Sequence, residues 1–380
     1  MGVVLLLVGL IVSRVGDNVA VFGLVLDAAH RPEPWAVALV YLAGMLPPAL
    51  LAKWLGRQAD RLDPRRTWLA CLVVQAATFT LAGVVNDFPL RVLAVAVGAT
   101  MGTLGGSVGF KLLNATAGED RVSWVNGVAT ASNSLSNIIG PALGGLVYAV
   151  AGSTPLLLGD GLSFLVLAGI AVATTPPVPR PRRKGPGDPL VLTPLLRLLA
   201  PVMAAIILGV CLEGVAGIFY LREVLHGNDI AYGLLLACWP VGSLAGALLT
   251  GRRRFAAHRP LLLLLGGLTC ALGILLAGAI PFAPAIAAAF VLGGLGNGTV
   301  STTVRLLIHE QVPETQQGQA WARWSGVANA CSLVAYFAGT PWGELPPQAI
   351  VIISGAFPTA VAVVGLILFA RRRTPVLSTP

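Results

Sequence analysis

Twelve apolar stretches, each about 20 to 28 residues long, alternate with short polar segments along this chain: 3–26, 35–55, 67–86, 89–112, 123–150, 154–175, 199–221, 230–250, 260–280, 283–308, 318–340 and 348–370. At about 1.5 Å of rise per residue, a helix of this length crosses the roughly 30 Å hydrocarbon core of a bilayer. Period-two alternation is absent, and an open strand edge has no partners for its N–H and C=O groups in lipid, so each stretch is predicted to be a helix. The pattern predicts an all-α membrane protein with 12 transmembrane helices.

Composition agrees: hydrophobic residues make up 56% of the 380 residues and charged residues only 11%, with a mean hydropathy of +0.82. Placement of charge then orients the chain, because Lys and Arg in short loops are retained on the cytoplasmic side. With the N-terminus inside, 21 of the 25 Lys and Arg residues fall in cytoplasmic segments; Arg31, Arg91 and Arg222 lie outside and Arg14 lies within the first stretch. The expectation is a multi-pass protein of the cell inner (cytoplasmic) membrane with both termini cytoplasmic. Topology and anionic lipid account for the net charge of +9, and no nucleic-acid partner is expected. The first stretch lacks a basic leading segment and carries Arg14 and Asp17, so it is expected to stay in the mature protein rather than act as a cleaved signal.

The same inventory speaks against other classes. Cys71, Cys211, Cys238, Cys270 and Cys331 fall in apolar stretches without metal-ligand spacing, and His30, His226, His258 and His309 are isolated. No metal or cofactor is expected. None of the three lysines follows a glycine as a phosphate-binding loop requires, and no acidic metal cluster of a membrane-embedded transferase occurs. The chain is not expected to be an enzyme.

Two echoes suggest duplicated halves, a common plan for transporters. The segment from Gly56-Arg57 to Arg65-Arg66 has a degenerate copy from Gly251-Arg252 to Arg259-Pro260, and Asn126-Gly127-Val128-Ala129 is echoed by Ser325-Gly326-Val327-Ala328 at nearly the same separation. Pro176 to Pro189, with Arg180, Arg182, Arg183 and Lys184, reads as a solvated linker. The expected organisation is an N-terminal six-helix bundle at 1–175, a cytoplasmic linker at 176–198, a C-terminal six-helix bundle at 199–373 and a tail at 374–380.

Between the second and third stretches stands Gly56-Arg57-Gln58-Ala59-Asp60-Arg61-Leu62-Asp63-Pro64-Arg65-Arg66. This run resembles the loop signature of the major facilitator superfamily, although Gln58 replaces an apolar residue and Asp63-Pro64 adds one residue before the Arg pair. The resemblance implies the fold of two pseudo-symmetric six-helix bundles and a cytoplasmic gate carried by Gly56, Asp60, Arg61, Arg65 and Arg66; ordinary positive-inside anchoring is the plainer alternative. In the fifth stretch, Gly140, Pro141, Gly144 and Gly145 resemble the antiporter motif of drug exporters in that family, and they equally suit tight helix packing around a proline kink. Ser13-Arg14-Val15-Gly16-Asp17, Gly159-Asp160-Gly161-Leu162-Ser163-Phe164 and Gln311-Val312-Pro313-Glu314 look like the macrolide-efflux and enterobactin-exporter branch.

Ionisable residues inside membrane helices are costly unless they face a wet cavity or a partner. Asp17 and Glu213, near the middles of the first and seventh stretches, are candidates to carry a proton, with Arg14 three residues from Asp17 on roughly the same face. A static Arg14–Asp17 pair and a buried, hydrogen-bonded Glu213 are the structural alternatives. Asp160 is expected to be a helix-end cap. Asn18, Asn133 and Trp239 are candidate substrate contacts, each with a packing role as the alternative. A cavity of this make-up suits bulky amphipathic molecules rather than sugars. The expectation is thus a monomeric secondary transporter in the lipid bilayer, exporting drugs or amphipathic natural products in exchange for protons. A dedicated exporter of one siderophore or self-made antibiotic, and a non-transporting receptor or scaffold, are the alternatives.

Overall fold

The computed structural model describes residues 2–33, 35–85, 87–117, 121–175, 194–226, 228–251, 258–312, 314–340 and 345–373. Among them are twelve helices and no strand: α1 (Gly2–Ala29), α2 (Trp35–Arg61), α3 (Pro64–Val84), α4 (Phe88–Ala117), α5 (Val122–Ala151), α6 (Thr154–Thr174), α7 (Pro194–Val224), α8 (Asp229–Thr250), α9 (Arg259–Ala279), α10 (Ala283–Gln311), α11 (Glu314–Ala338) and α12 (Pro347–Arg373). The tail at 374–380, the basic run Arg252-Arg253-Arg254 and most of the expected linker, 176–193, lie outside the described residues.

Ten of these helices are long and apolar enough to cross a membrane. Within α5 the apolar run is Leu135–Ala151. The first turns of α11 hold Thr315, Gln316, Gln317 and Gln319.

The chain forms two compact units, Met1–Gly185 with Asn228–Ala237, and Pro186–Gly227 with Cys238–Pro380. In the first, α1 packs on α5 and α6, α3 on α4 and α6, and α2 on α4. In the second, α9 packs on α10 and α12, and α7 on α11 and α12. Here the second part of α8 lies backbone to backbone against α10: a Cβ on Gly294 or Gly298 would collide with the carbonyls of Trp239 and Ser243. Absence of a side chain is what lets membrane helices approach this closely. The faces left over are apolar, as with Val4, Leu5, Val8 and Val12 of α1 and Leu162, Leu165 and Val166 of α6, all exposed. Such surfaces are unfavourable in water and suited to lipid.

Local chemistry sets several helix ends. Asp63 caps α3, accepting from the Arg66 N–H at 2.8 Å, and Pro64 occupies the first turn where its missing N–H costs nothing. In the first unit Arg91 is buried and ties α4 to α1 and α6, donating to Asp27 at 3.3 Å and Ser153 at 3.1 Å. Pro47 and Pro48 lie inside α2, where they withdraw two N–H donors from the helix ladder.

Candidate functional site

The first unit contains a cavity of about 490 Å³ whose wall includes Asp17, Asn18, Tyr41, Gly44, Gln75 and Phe79. Asp17 and Asn18 come from α1, Tyr41 and Gly44 from α2, and Gln75 and Phe79 from α3. The seam between α1 and α5 fixes one wall. On α5, Gly140 lies against Asn18, where a Cβ would come within 2.6 Å of the Asn18 Cβ, and Gly144 lies against Phe22 one turn on. Two members of the expected antiporter motif therefore work by admitting α1. Gly145 faces away from α1: a Cβ there would meet the Asp229 carbonyl at 2.6 Å and the Gly233 Cα at 3.1 Å, in the part of α8 that belongs to this unit. Pro141 is inside α5, and its carbonyl is the atom that Gly233 approaches.

Helical spacing makes Arg14 and Asp17 neighbours, but their side chains separate. Arg14 donates to the Ala129 carbonyl at 2.9 Å and to Asn133 Oδ1, both on α5, and Asn18 Nδ2 donates to the Arg14 carbonyl at 3.0 Å. Asn133 is thus a partner of Arg14. The Asp17 carboxyl instead lies within hydrogen-bonding reach of the Asp160 carboxyl, across the packing of α1 on α6. Arg14 still feels Asp17 through space.

Asp160 corrects an expectation. Rather than capping α6, whose N-cap is Ser153, it lies in the second turn with 1% of its surface exposed, its Oδ1 against Gly16 and accepting from Ser163 Oγ at 3.1 Å. The hydropathy pattern marked it as a charge in an apolar helix but carried no signal for its partner on α1.

In the second unit Glu213 is buried on α7, with Oε1 turned toward Gly217 one turn along the same helix. A second cavity there, of about 310 Å³, is lined by Cys211, Asn297, Ser301, Arg305 and Trp324, with Glu213 outside its wall. Trp239 meets Phe290 edge-on at 5.9 Å and packs on Gly293, so its visible contacts are those of a core residue.

The residues of the expected gate fall at the end of α2 (Gly56, Asp60, Arg61) and the start of α3 (Arg65, Arg66). Gly56 faces open space. Arg61 and Arg66 are exposed, and Arg65 donates to the Val172 carbonyl near the end of α6 at 2.6 Å. Asp60 is in the last turn of α2, and its side chain lies outside what is described. Lys111 of α4 donates to the Ala59 carbonyl at 3.2 Å.

Comparison with known proteins places this geometry. The family model described as Major Facilitator Superfamily matches residues 6–221 and 202–380. Enterobactin exporter EntS of Shigella flexneri is 27% identical over 219 residues, 56% of this chain and 52% of that protein. The chain spans about half the length of the curated relatives it matches. Among solved structures, a bacterial homologue of the iron transporter ferroportin, in an inward-facing state, aligns with a TM-score of 0.75 at 18% identity over 97% of this chain and 98% of that one. The nucleoside transporter NupG aligns at 0.72 and 12% identity over 96% of this chain and 99% of that one. These likenesses establish the fold, and the family match establishes the membership: the chain belongs to the major facilitator superfamily and has its multi-pass membrane architecture.

Proposed function

We propose that this major facilitator exports bulky amphipathic molecules, drugs or natural products, across the cytoplasmic membrane in exchange for protons. The observation that carries the reading is the position of Asp17, a carboxyl midway along a membrane helix on the wall of a cavity of about 490 Å³. A charge so placed is expensive unless it is used. The cavity's mix of aromatic, amide and small residues suits an amphipathic cargo, and a glycine-rich α5 against α1 supports the export direction. In this reading the halves 1–175 and 199–373 rock by alternating access, the termini are cytoplasmic, the protein works as a monomer without metal or cofactor, and Gly56, Asp60, Arg61, Arg65 and Arg66 serve the cytoplasmic gate. Transport, and no catalysis, is its activity.

A second reading, a dedicated siderophore exporter, is favoured by the similarity to EntS. One experiment separates the two. Inside-out vesicles carrying the full chain are given an imposed proton gradient and offered macrolides, amphipathic dyes and a catecholate siderophore. Uptake of several chemically unrelated compounds supports the broad exporter, and uptake of the siderophore alone supports the narrow one. Gradient-independent uptake would sink proton exchange, and no uptake at all would sink export.

A further inference from the structure

Two carboxyls meeting inside a membrane protein present a charge problem that the surroundings do not solve. Asp160 is 1% exposed, and its Oδ2 is buried with no N–H or O–H donor in reach among the described residues. Its Oδ1 takes the Ser163 hydroxyl at 3.1 Å and sits against Gly16. The Asp17 carboxyl is within hydrogen-bonding reach on the other side. The nearby cation, Arg14, has its guanidinium on the Ala129 carbonyl and Asn133. Other described groups around the site are neutral: Asn18 on α1, Ser163 on α6, Tyr41 on α2, Gln75 on α3 and Thr103 on α4. Two negative charges in contact at low dielectric repel by many kcal/mol, whereas one proton between them turns the repulsion into a hydrogen bond.

We propose that Asp17 and Asp160 form a single proton-binding site, one proton held between the two carboxyls, reached from the cavity through Asp17 and closed at the protein side by Asp160. This rests on the reading that Asp17 serves proton exchange, and it adds the second carboxyl. The step balances simply: the pair takes one proton from water in the cavity, its net charge going from minus two to minus one, and returns that proton to water when Asp17 is exposed to the other side. Asp160 is a positioning residue here. It accepts from protonated Asp17 through an oxygen that otherwise lacks a donor, and Ser163 fixes the other oxygen. Gly16 is small because the Asp160 carboxylate fills the space where a Cβ would stand, 2.6 Å from Oδ1.

The test is infrared-detected pH titration of the purified full chain, which needs no substrate and so separates this inference from the export reading. The wild type is expected to show an H/D-sensitive carboxylic C=O band that Glu213→Gln leaves in place. Asp17→Asn and Asp160→Asn should each shift the titration of the remaining acid by at least one pH unit, and their difference spectra should fail to add to that of the double variant. Additive spectra would mean two independent acids and overturn the proposal. Displacement of the band by millimolar Na⁺ or Mn²⁺ at constant pH would make this a metal-ion site and overturn it also. Gly16→Ala keeps both carboxyls but presses on Asp160, and is expected to move the band; an unmoved band in a correctly folded Gly16→Ala protein counts against the pairing. Asp160→Glu, which restores an acid, should recover the coupled titration.

Discussion

Asp17 of α1 and Glu213 of α7 occupy corresponding places in the two repeats suggested by the sequence, yet they sit in different chemistry. Asp17 borders an open cavity, has a second acid across the helix contact and an arginine one turn away. Glu213 is buried among apolar helices, away from the wall of its unit's cavity, its carboxyl turned along its own helix. Each unit thus has a carboxyl on a corresponding helix, but of the two only Asp17 lies on the wall of the cavity described in its unit. Corresponding positions in a repeat need not share surroundings.

The largest test of this contrast is a paired substitution. Asp17→Asn is expected to cut gradient-driven uptake at least tenfold, a barrier increase of about 1.4 kcal/mol or more, while Glu213→Gln stays within threefold of wild type; initial rates in inside-out vesicles at matched protein level decide it, and equal losses would break the comparison. Glycines sharpen it next. Gly145→Leu, in a spot where even a Cβ would meet the Asp229 carbonyl at 2.6 Å, is expected to lower uptake by roughly tenfold through lost helix packing. Gly326→Ala, where nothing lies within 4 Å, should change it by less than about twofold. Arg14→Gln removes a charged donor to α5 and is expected to cost about threefold in uptake and a few degrees of Tm, read by thermal unfolding in detergent. Smallest is Asp63→Ala, which deletes the α3 cap; about 1 kcal/mol of stability should go, with uptake within twofold.

Hydropathy located the helices well because it measures what lipid selects. The stretch 154–175 became α6 (Thr154–Thr174) and 260–280 became α9 (Arg259–Ala279). It read several ends short: α2 runs on to Arg61, α7 starts at Pro194 and α12 continues to Arg373. Backbone hydrogen bonding carries a helix past the hydrocarbon edge, where Lys and Arg prefer to lie. Site residues were legible as misfits, since Arg14, Asp17, Asp160 and Glu213 are charges in apolar text. Their partners were not. Spacing along α1 offered Arg14 to Asp17, but α5 supplies a carbonyl and an amide to the guanidinium, and the rotation of α6 against α1 delivers Asp160 instead. Contacts between helices depend on rotation and depth that no single helix encodes.

The two adjacent prolines of α2 bear on the cavity wall as well as on the helix. A carbonyl in a helix is normally met by the N–H four residues on, or three in a tighter turn. For Gly44 those positions are Pro48 and Pro47, and neither has an N–H to give. Gly44 is also on the cavity wall, and the α2 ladder supplies no donor to that carbonyl. An unmet carbonyl at membrane depth costs several kcal/mol, and under the export reading a cargo carrying a hydroxyl or amine suits that wall better than a purely apolar one.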